Sequence, residues 1–158
     1  MNAGHEHTGG CQCGAVRYRL TGAPRMLYAC HCHDCQKQSS SAFGMSLIVD
    51  RGKVEFTAGL DRLRTWDTRG DDAALKRCAF CIDCGTRIYH APESDDEPIS
   101  IKAGSLDDTS RLRPVAQIWL QSAQPWVGVD RDRFRCFEQE PDDETELEKL
   151  WRQQGPGT

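Results

Sequence analysis

No run of 18 consecutive apolar residues occurs anywhere in the 158-residue sequence, so a membrane-crossing helix is not expected. An excess of positive charge is missing too: 20 Lys and Arg stand against 24 Asp and Glu, for a net charge of -4. Nucleic-acid binding needs a basic footprint, and its absence argues against DNA or RNA as a partner. Met1 to Gly10 has neither the basic start nor the apolar run of a secretory leader, and the expected location is the cytoplasm. There is no internal repeat and no long linker, so a chain of this length is expected to form one domain with its own core.

Cysteine, by contrast, is abundant, at nine residues. A reducing compartment disfavours disulfides and shifts the meaning of clustered cysteines toward metal or redox chemistry. The clusters are Cys11-Gln12-Cys13, Cys30-His31-Cys32-His33-Asp34-Cys35 and Cys78-Ala79-Phe80-Cys81-Ile82-Asp83-Cys84, with Cys136 standing apart. Cys81-x2-Cys84 followed by Gly85 reads as a knuckle, a tight turn that aims two sulfurs at one tetrahedral ion. One knuckle cannot close a zinc site. Cys11 and Cys13 suit the second pair, because residues two apart on an extended segment point the same way and Gly9, Gly10 and Gly14 permit a bend. The expectation is a structural zinc held by Cys11, Cys13, Cys81 and Cys84.

Cys30, Cys32 and Cys35 remain, at a spacing that lets an extended segment and the turn after it converge on a second zinc. Three protein ligands leave the fourth coordination position to water or substrate, the pattern of a catalytic site. Cys78 keeps the division of ligands open. It is either a strand residue alternating with Phe80 and pointing into the core, or a fourth ligand that closes the second site. A thiol-disulfide relay is a further use of a C-x2-C pair. His31 and His33 should face away from the neighbouring sulfurs and at most tune them or shuttle protons, and Cys136 is read as packing.

The rest of the chain alternates in the manner of short strands. Val16, Tyr18 and Leu20 interleave with Arg17 and Arg19, and further strands are expected at 26–29, 43–49, 54–57, 63–66, 87–89, 99–102 and 115–119. Asp34 to Ser40 is expected to make one helical turn. Pro141 to Gln154 carries acidic residues first, Lys149 and Arg152 late, and an apolar stripe of Leu147, Leu150 and Trp151, which predicts a terminal helix ended by Gly155-Pro156-Gly157. Glu93 to Glu97 reads as a solvated acidic loop. The expected organisation is a flexible terminus over 1–8 with His5 and His7 mobile, a mainly β zinc-binding domain over 9–137, and a C-terminal helix and tail over 138–158.

Gly10-Cys11-x-Cys13-Gly14 with Val16 and Tyr18, Cys30-x-Cys32-x2-Cys35-Gln36-Lys37, and Phe80-Cys81-x2-Cys84-Gly85-Thr86 together resemble the glutathione-dependent formaldehyde-activating enzyme family. The likeness extends to Ser41-Ala42-Phe43, Gly104-Ser105-Leu106-Asp107-Asp108, Ile118-Trp119 and Gln124-Pro125-Trp126. It implies a tent-like arrangement of short antiparallel sheets around two zincs, one on Cys11, Cys13, Cys81 and Cys84, the other a labile catalytic zinc on Cys30, Cys32 and Cys35. It also implies carbon-sulfur lyase chemistry of the S-(hydroxymethyl)glutathione synthase type, with a small-molecule thiol such as glutathione as partner. Lys37, Arg77 and Arg87 lie near the clusters in sequence, without a binding role that the sequence assigns. The alternative is a zinc-stabilised protein-binding module with two structural metals and no catalysis.

Overall fold

The computed structural model describes residues 7–70 and 74–154, and the elements follow the alternation of the sequence closely. Strands β1 (His7–Gly10) and β2 (Arg17–Leu20) form a hairpin, and β5 (Val54–Ala58) joins the other edge of β2 to complete a three-stranded antiparallel sheet. Tyr18 and Leu20 are buried while Arg17 and Arg19 stay partly in solvent, as a strand with one buried face requires.

The larger sheet has eight strands. In chain order its members are β3 (Met26–Cys30), β4 (Gly44–Val49), β6 (Leu63–Arg69), β7 (Leu75–Cys81), β8 (Arg87–Pro92), β9 (Ile99–Lys102), β10 (Ala116–Ile118) and β11 (Arg135–Cys136). Their spatial order is β11-β10-β3-β4-β9-β8-β7-β6. Pairing is antiparallel except where β10 runs parallel to both β3 and β11. Helix α1 (His33–Ser39) follows β3 directly, and α2 (Thr145–Gln154) closes the chain against β3.

The two sheets share a core of Val16, Tyr18, Leu27, Leu47, Ile88, Ile101 and Val115 among others. They are joined at the turn after β9. The Tyr18 hydroxyl lies 2.8 Å from the Ser105 hydroxyl, Arg17 makes a two-point ion pair with Asp107, and Thr8 donates to Asp107 at 2.6 Å. A side chain at Gly9 would come within 2.6 Å of the Ser105 carbonyl, so the hairpin can approach this turn only with glycine there.

The structure revises several expectations. His7 and Thr8, expected in a loose terminus, pair with Leu20 and Arg19, whereas residues 1–6 of that segment, His5 included, lie outside the described residues. The terminal helix begins at Thr145 rather than Pro141, because the Asp143 side chain accepts from the Thr145 backbone N–H at 2.9 Å and sets the cap. Its expected stop at 155–157 lies outside the described residues. Leu147 and Trp151 enter the core, and Trp151 Nε1 donates to the Pro24 carbonyl at 3.1 Å. Trp151→Ala removes both the apolar volume and that bond, and is expected to destabilise the metal-loaded protein by about 3 to 5 kcal/mol in denaturant unfolding. A change below about 1 kcal/mol would show that α2 is an accessory to the fold rather than part of it.

Candidate metal centres

Two groups of cysteine sulfurs converge, each with all its sulfurs within 4.8 Å of one another: Cys11, Cys13, Cys81 and Cys84, and Cys30, Cys32 and Cys35. All nine cysteines are free thiols. In the first group Cys11 and Cys13 are 3.4 Å apart, and Cys13 and Cys81 are 3.8 Å apart. Four thiolates around one tetrahedral ion at about 2.3 Å would be about 3.8 Å from one another, so this donor set fits such an ion with little movement. A disulfide needs about 2 Å.

The first group is assembled by two loops. Cys11 and Cys13 lie on a turn, not on the extended segment expected: Gly14 N–H donates to the Cys11 carbonyl at 3.0 Å, with Gly14 in the left-handed region. The turn, rather than strand alternation, brings the two sulfurs to one side. Cys81 ends β7 and Cys84 lies on the knuckle, which closes through Gly85 N–H to the Cys81 carbonyl at 2.8 Å with Gly85 at φ 74°. A residue with a side chain pays a steric penalty in that conformation, so the glycine is part of the ligand geometry. The Val16 backbone N–H lies 3.1 Å from Cys11 Sγ, and Cys84 Sγ lies 3.2 Å from the Thr86 hydroxyl. The Thr86 contact lowers the Cys84 thiol to about 6, whereas its sulfur neighbours, outweighing a backbone hydrogen bond from Ala15, leave Cys13 at about 12. Against its burial, hydrogen bonds from the Val16 N–H and from the Cys13 and Cys81 thiols lower Cys11 as well, while burial raises Cys81. Negative charge is thus easy to place on two of the four sulfurs and not on all of them, which is the electrostatic demand that a divalent cation meets.

The second group forms where β3 passes into α1. Cys30 ends the strand, Cys32 is the N-cap residue of the helix, and Cys35 lies in its first turn. The Cys35 backbone N–H donates to Cys32 Sγ at 3.4 Å, so that sulfur also caps the helix. Hydrogen bonds from the Cys30 and Cys35 thiols hold Cys32 down at about 2; the same crowding, with burial, pushes Cys30 up. For Cys35 the bond with Cys30 lowers the thiol, but Cys32 and burial outweigh it and leave it at about 11. Here the sulfurs favour one thiolate and call for an outside positive charge to stabilise more.

Among the described residues, no fourth Cys, His, Asp or Glu joins this trio. Cys78 is 1% exposed on β7, outside the group, and lines the same small cavity of about 90 Å³ as Cys30, Cys32 and Cys35. Lys76, His90 and Lys102 line it as well. A second, more open cavity of about 480 Å³ lies between the two sulfur groups, reached by Cys35 on one side and by Gln12, Cys84 and Arg87 on the other. Cys35, Gln38 and Lys102 line both. Burial lowers the Lys102 ammonium below the ordinary lysine range, and burial drives His90 toward its neutral form.

His31 faces away from the sulfurs: it is fully buried, its Nε2 is 2.6 Å from Gln117 Oε1, and its ring lies against Phe43. His33 and Lys37 are exposed on α1, Arg77 pairs with Asp67 at 3.1 Å on the surface, and Cys136 lies on the edge strand β11. Gln36, by contrast, is structural to the second group: its amide donates to the His31 and Ser122 carbonyls at 2.7 and 2.9 Å, and Gln124 donates to its Oε1 at 3.1 Å. These bonds tie α1 to the loop after β10 and fix where Cys32 and Cys35 point. No helix among the described residues is long and apolar enough to cross a membrane.

The family profile described as glutathione-dependent formaldehyde-activating enzyme matches residues 6–122 of the chain. A Halomonas elongata protein is 24% identical over 140 residues, covering 85% of this chain and 88% of that protein. A Penicillium rubens protein is 31% identical over 87 residues, covering 54% of this chain and 44% of its own length. Both carry the name "Putative glutathione-dependent formaldehyde-activating enzyme". The match thus spans less than half the length of the fungal relative. The crystal structure of a Rhodobacter sphaeroides protein aligns with a TM-score of 0.49 at 15% identity, covering 82% of this chain and 98% of that one.

Proposed function

The chain belongs to the glutathione-dependent formaldehyde-activating enzyme family, and from that premise we propose that it is a zinc enzyme making or breaking the carbon-sulfur bond between a small thiol, such as glutathione, and formaldehyde or another small carbonyl. One zinc is structural, on Cys11, Cys13, Cys81 and Cys84. The other is catalytic, on Cys30, Cys32 and Cys35. The observation that carries the reading is the three-sulfur group with no fourth protein ligand among the described residues, opening on two cavities of different size. Its grouping without Cys78 favours an open coordination position over the alternative of two structural metals and a binding module.

Zinc at such a site supplies a Lewis acid that stabilises a thiolate at neutral pH. In the joining direction the thiol S–H gives up its proton, a sulfur lone pair forms the C–S bond, and the carbonyl π pair moves onto oxygen, which takes up a proton. The reverse sequence splits the adduct. The chain's residues divide the work by position. The larger cavity receives the body of the thiol. The smaller one, about 90 Å³, suits a compact carbonyl. Lys102 lines both compartments, which supports a role in carrying the proton between sulfur and oxygen.

Cobalt placed at the second site gives a direct test. Addition of glutathione is expected to raise a sulfur-to-cobalt charge-transfer band, and turnover with formaldehyde is expected to yield the S-hydroxymethyl methylene signal in proton NMR faster than in buffer. A metal-loaded protein whose spectrum and rate both ignore every thiol tried is not this enzyme.

A further inference from the structure

The larger cavity has a charge character opposite to that of the chain. The chain as a whole is acidic, with 24 Asp and Glu against 20 Lys and Arg. Yet among the described residues, and apart from the clustered cysteines, the ionisable residues lining this cavity are Arg87 and Lys102, and no carboxylate lines it. Its volume of about 480 Å³ lies in the range that encloses a small organic ligand.

Arg87 differs from the arginines that are paired on the surface. Arg17, Arg19, Arg25, Arg77, Arg131 and Arg135 each pair with a carboxylate of the chain. Arg87 pairs with none among the described residues: its Nε and Nη2 are covered from solvent and have no hydrogen-bond partner. The guanidinium lies over the Trp66 ring at 5.7 Å, which supports its plane without using any of its N–H groups. Covered donors without acceptors are uncommon in folded proteins, and a guanidinium edge matches a carboxylate in two-point geometry. The backbone position of Arg87 is set by the first sulfur group, because it begins β8 two residues after Gly85 of the knuckle and pairs with Phe80.

We propose that Arg87 forms a carboxylate subsite, at the end of the larger cavity away from Cys35, that selects an acidic thiol over a neutral one. The proposal rests on the thiol reading of the second metal site and adds what the substrate must carry besides sulfur. Cys35 marks the sulfur end of the larger cavity, and Arg87 the carboxylate end. The structural metal thereby acquires a second use, since the loop that it folds places the substrate's anchor.

The test titrates the cobalt-substituted protein with glutathione and with glutathione diethyl ester, which keeps the thiol and removes the negative charges. The wild-type protein is expected to bind the acid about ten- to a hundredfold more tightly than the ester, the range that one charge-assisted contact supplies. Arg87→Gln is expected to narrow that ratio to within about threefold by weakening the acid alone, Arg87→Lys to keep part of it, and Arg77→Gln to leave it unchanged. Metal content and circular dichroism of each variant establish that it is folded. Equal binding of acid and ester by the wild type, or an undiminished ratio in folded Arg87→Gln, overturns the subsite and leaves the thiol reading standing. A cobalt spectrum that no thiol moves overturns both.

Discussion

Replacing Cys81 with serine is expected to abolish the folded state. Its side chain is fully buried at the end of β7, and its sulfur shares one group with Cys11 and Cys13 on the turn between β1 and β2. An ion there would join the small sheet to the large one, since Cys11 and Cys13 belong to the β1–β2 turn and Cys81 to β7. Structural zinc contributes about 10 to 16 kcal/mol in small zinc domains, against about 5 to 15 kcal/mol for the whole net stability of a typical domain. A serine hydroxyl does not ionise at neutral pH and offers no comparable ligand. The variant is therefore expected to lose its cooperative thermal transition and much of its soluble yield, and the wild type is expected to do the same when a strong chelator removes both metals. A Cys81→Ser protein that melts cooperatively within about 5 °C of the wild type would refute a structural role for the first group.

Cys32→Ser should behave in the opposite way, losing function and keeping the fold. The Cys32 sulfur accepts the Cys35 N–H and caps α1, and serine is among the residues best suited to that task, so the helix start survives the exchange. What disappears is one of the three sulfurs proposed to hold the second ion, together with the thiolate that its neighbours stabilise most. The expected outcome is a melting temperature within a few degrees of the wild type and turnover lower by about a thousandfold or more. That factor corresponds to about 4 kcal/mol of transition-state stabilisation, the scale on which metal Lewis acids act. Turnover within tenfold of the wild type would place the chemistry elsewhere, and loss of the fold would make the second group structural.

Both sulfur groups were legible in the sequence because ligand spacing is a local property. Cys81-x2-Cys84-Gly85 announces its turn by itself, and Cys30, Cys32 and Cys35 need only a strand that bends into a helix. Strand alternation predicts that Cys11 and Cys13 point the same way, but it is the turn at Gly14 that brings their sulfurs together. Most strands followed from alternation, while β1, whose sequence is His-Thr-Gly-Gly, carries no apolar pattern to read and exists through pairing with β2. The parallel insertion of β10 between β3 and β11 is equally invisible locally, since it depends on a return of the chain across about ninety residues. Lys102, His90, Lys76 and Arg87 come to the cavities from three different strands. No spacing in one segment reports such a convergence. Gln36, by contrast, directly follows the last cysteine of the second cluster, and Gln124 lies in another motif of the family resemblance, so the sequence pointed to these positions before the hydrogen bonds between them explained why.

Native mass spectrometry of metal ions per folded chain tests the central claim most directly, on the wild type, Cys32→Ser and Cys78→Ser. Two zincs in the wild type, one in Cys32→Ser and two in Cys78→Ser are expected from a closed four-thiolate site and a separate three-thiolate site that Cys78 does not complete. One zinc in the wild type, two in Cys32→Ser, or the loss of a zinc from Cys78→Ser would contradict that division of ligands.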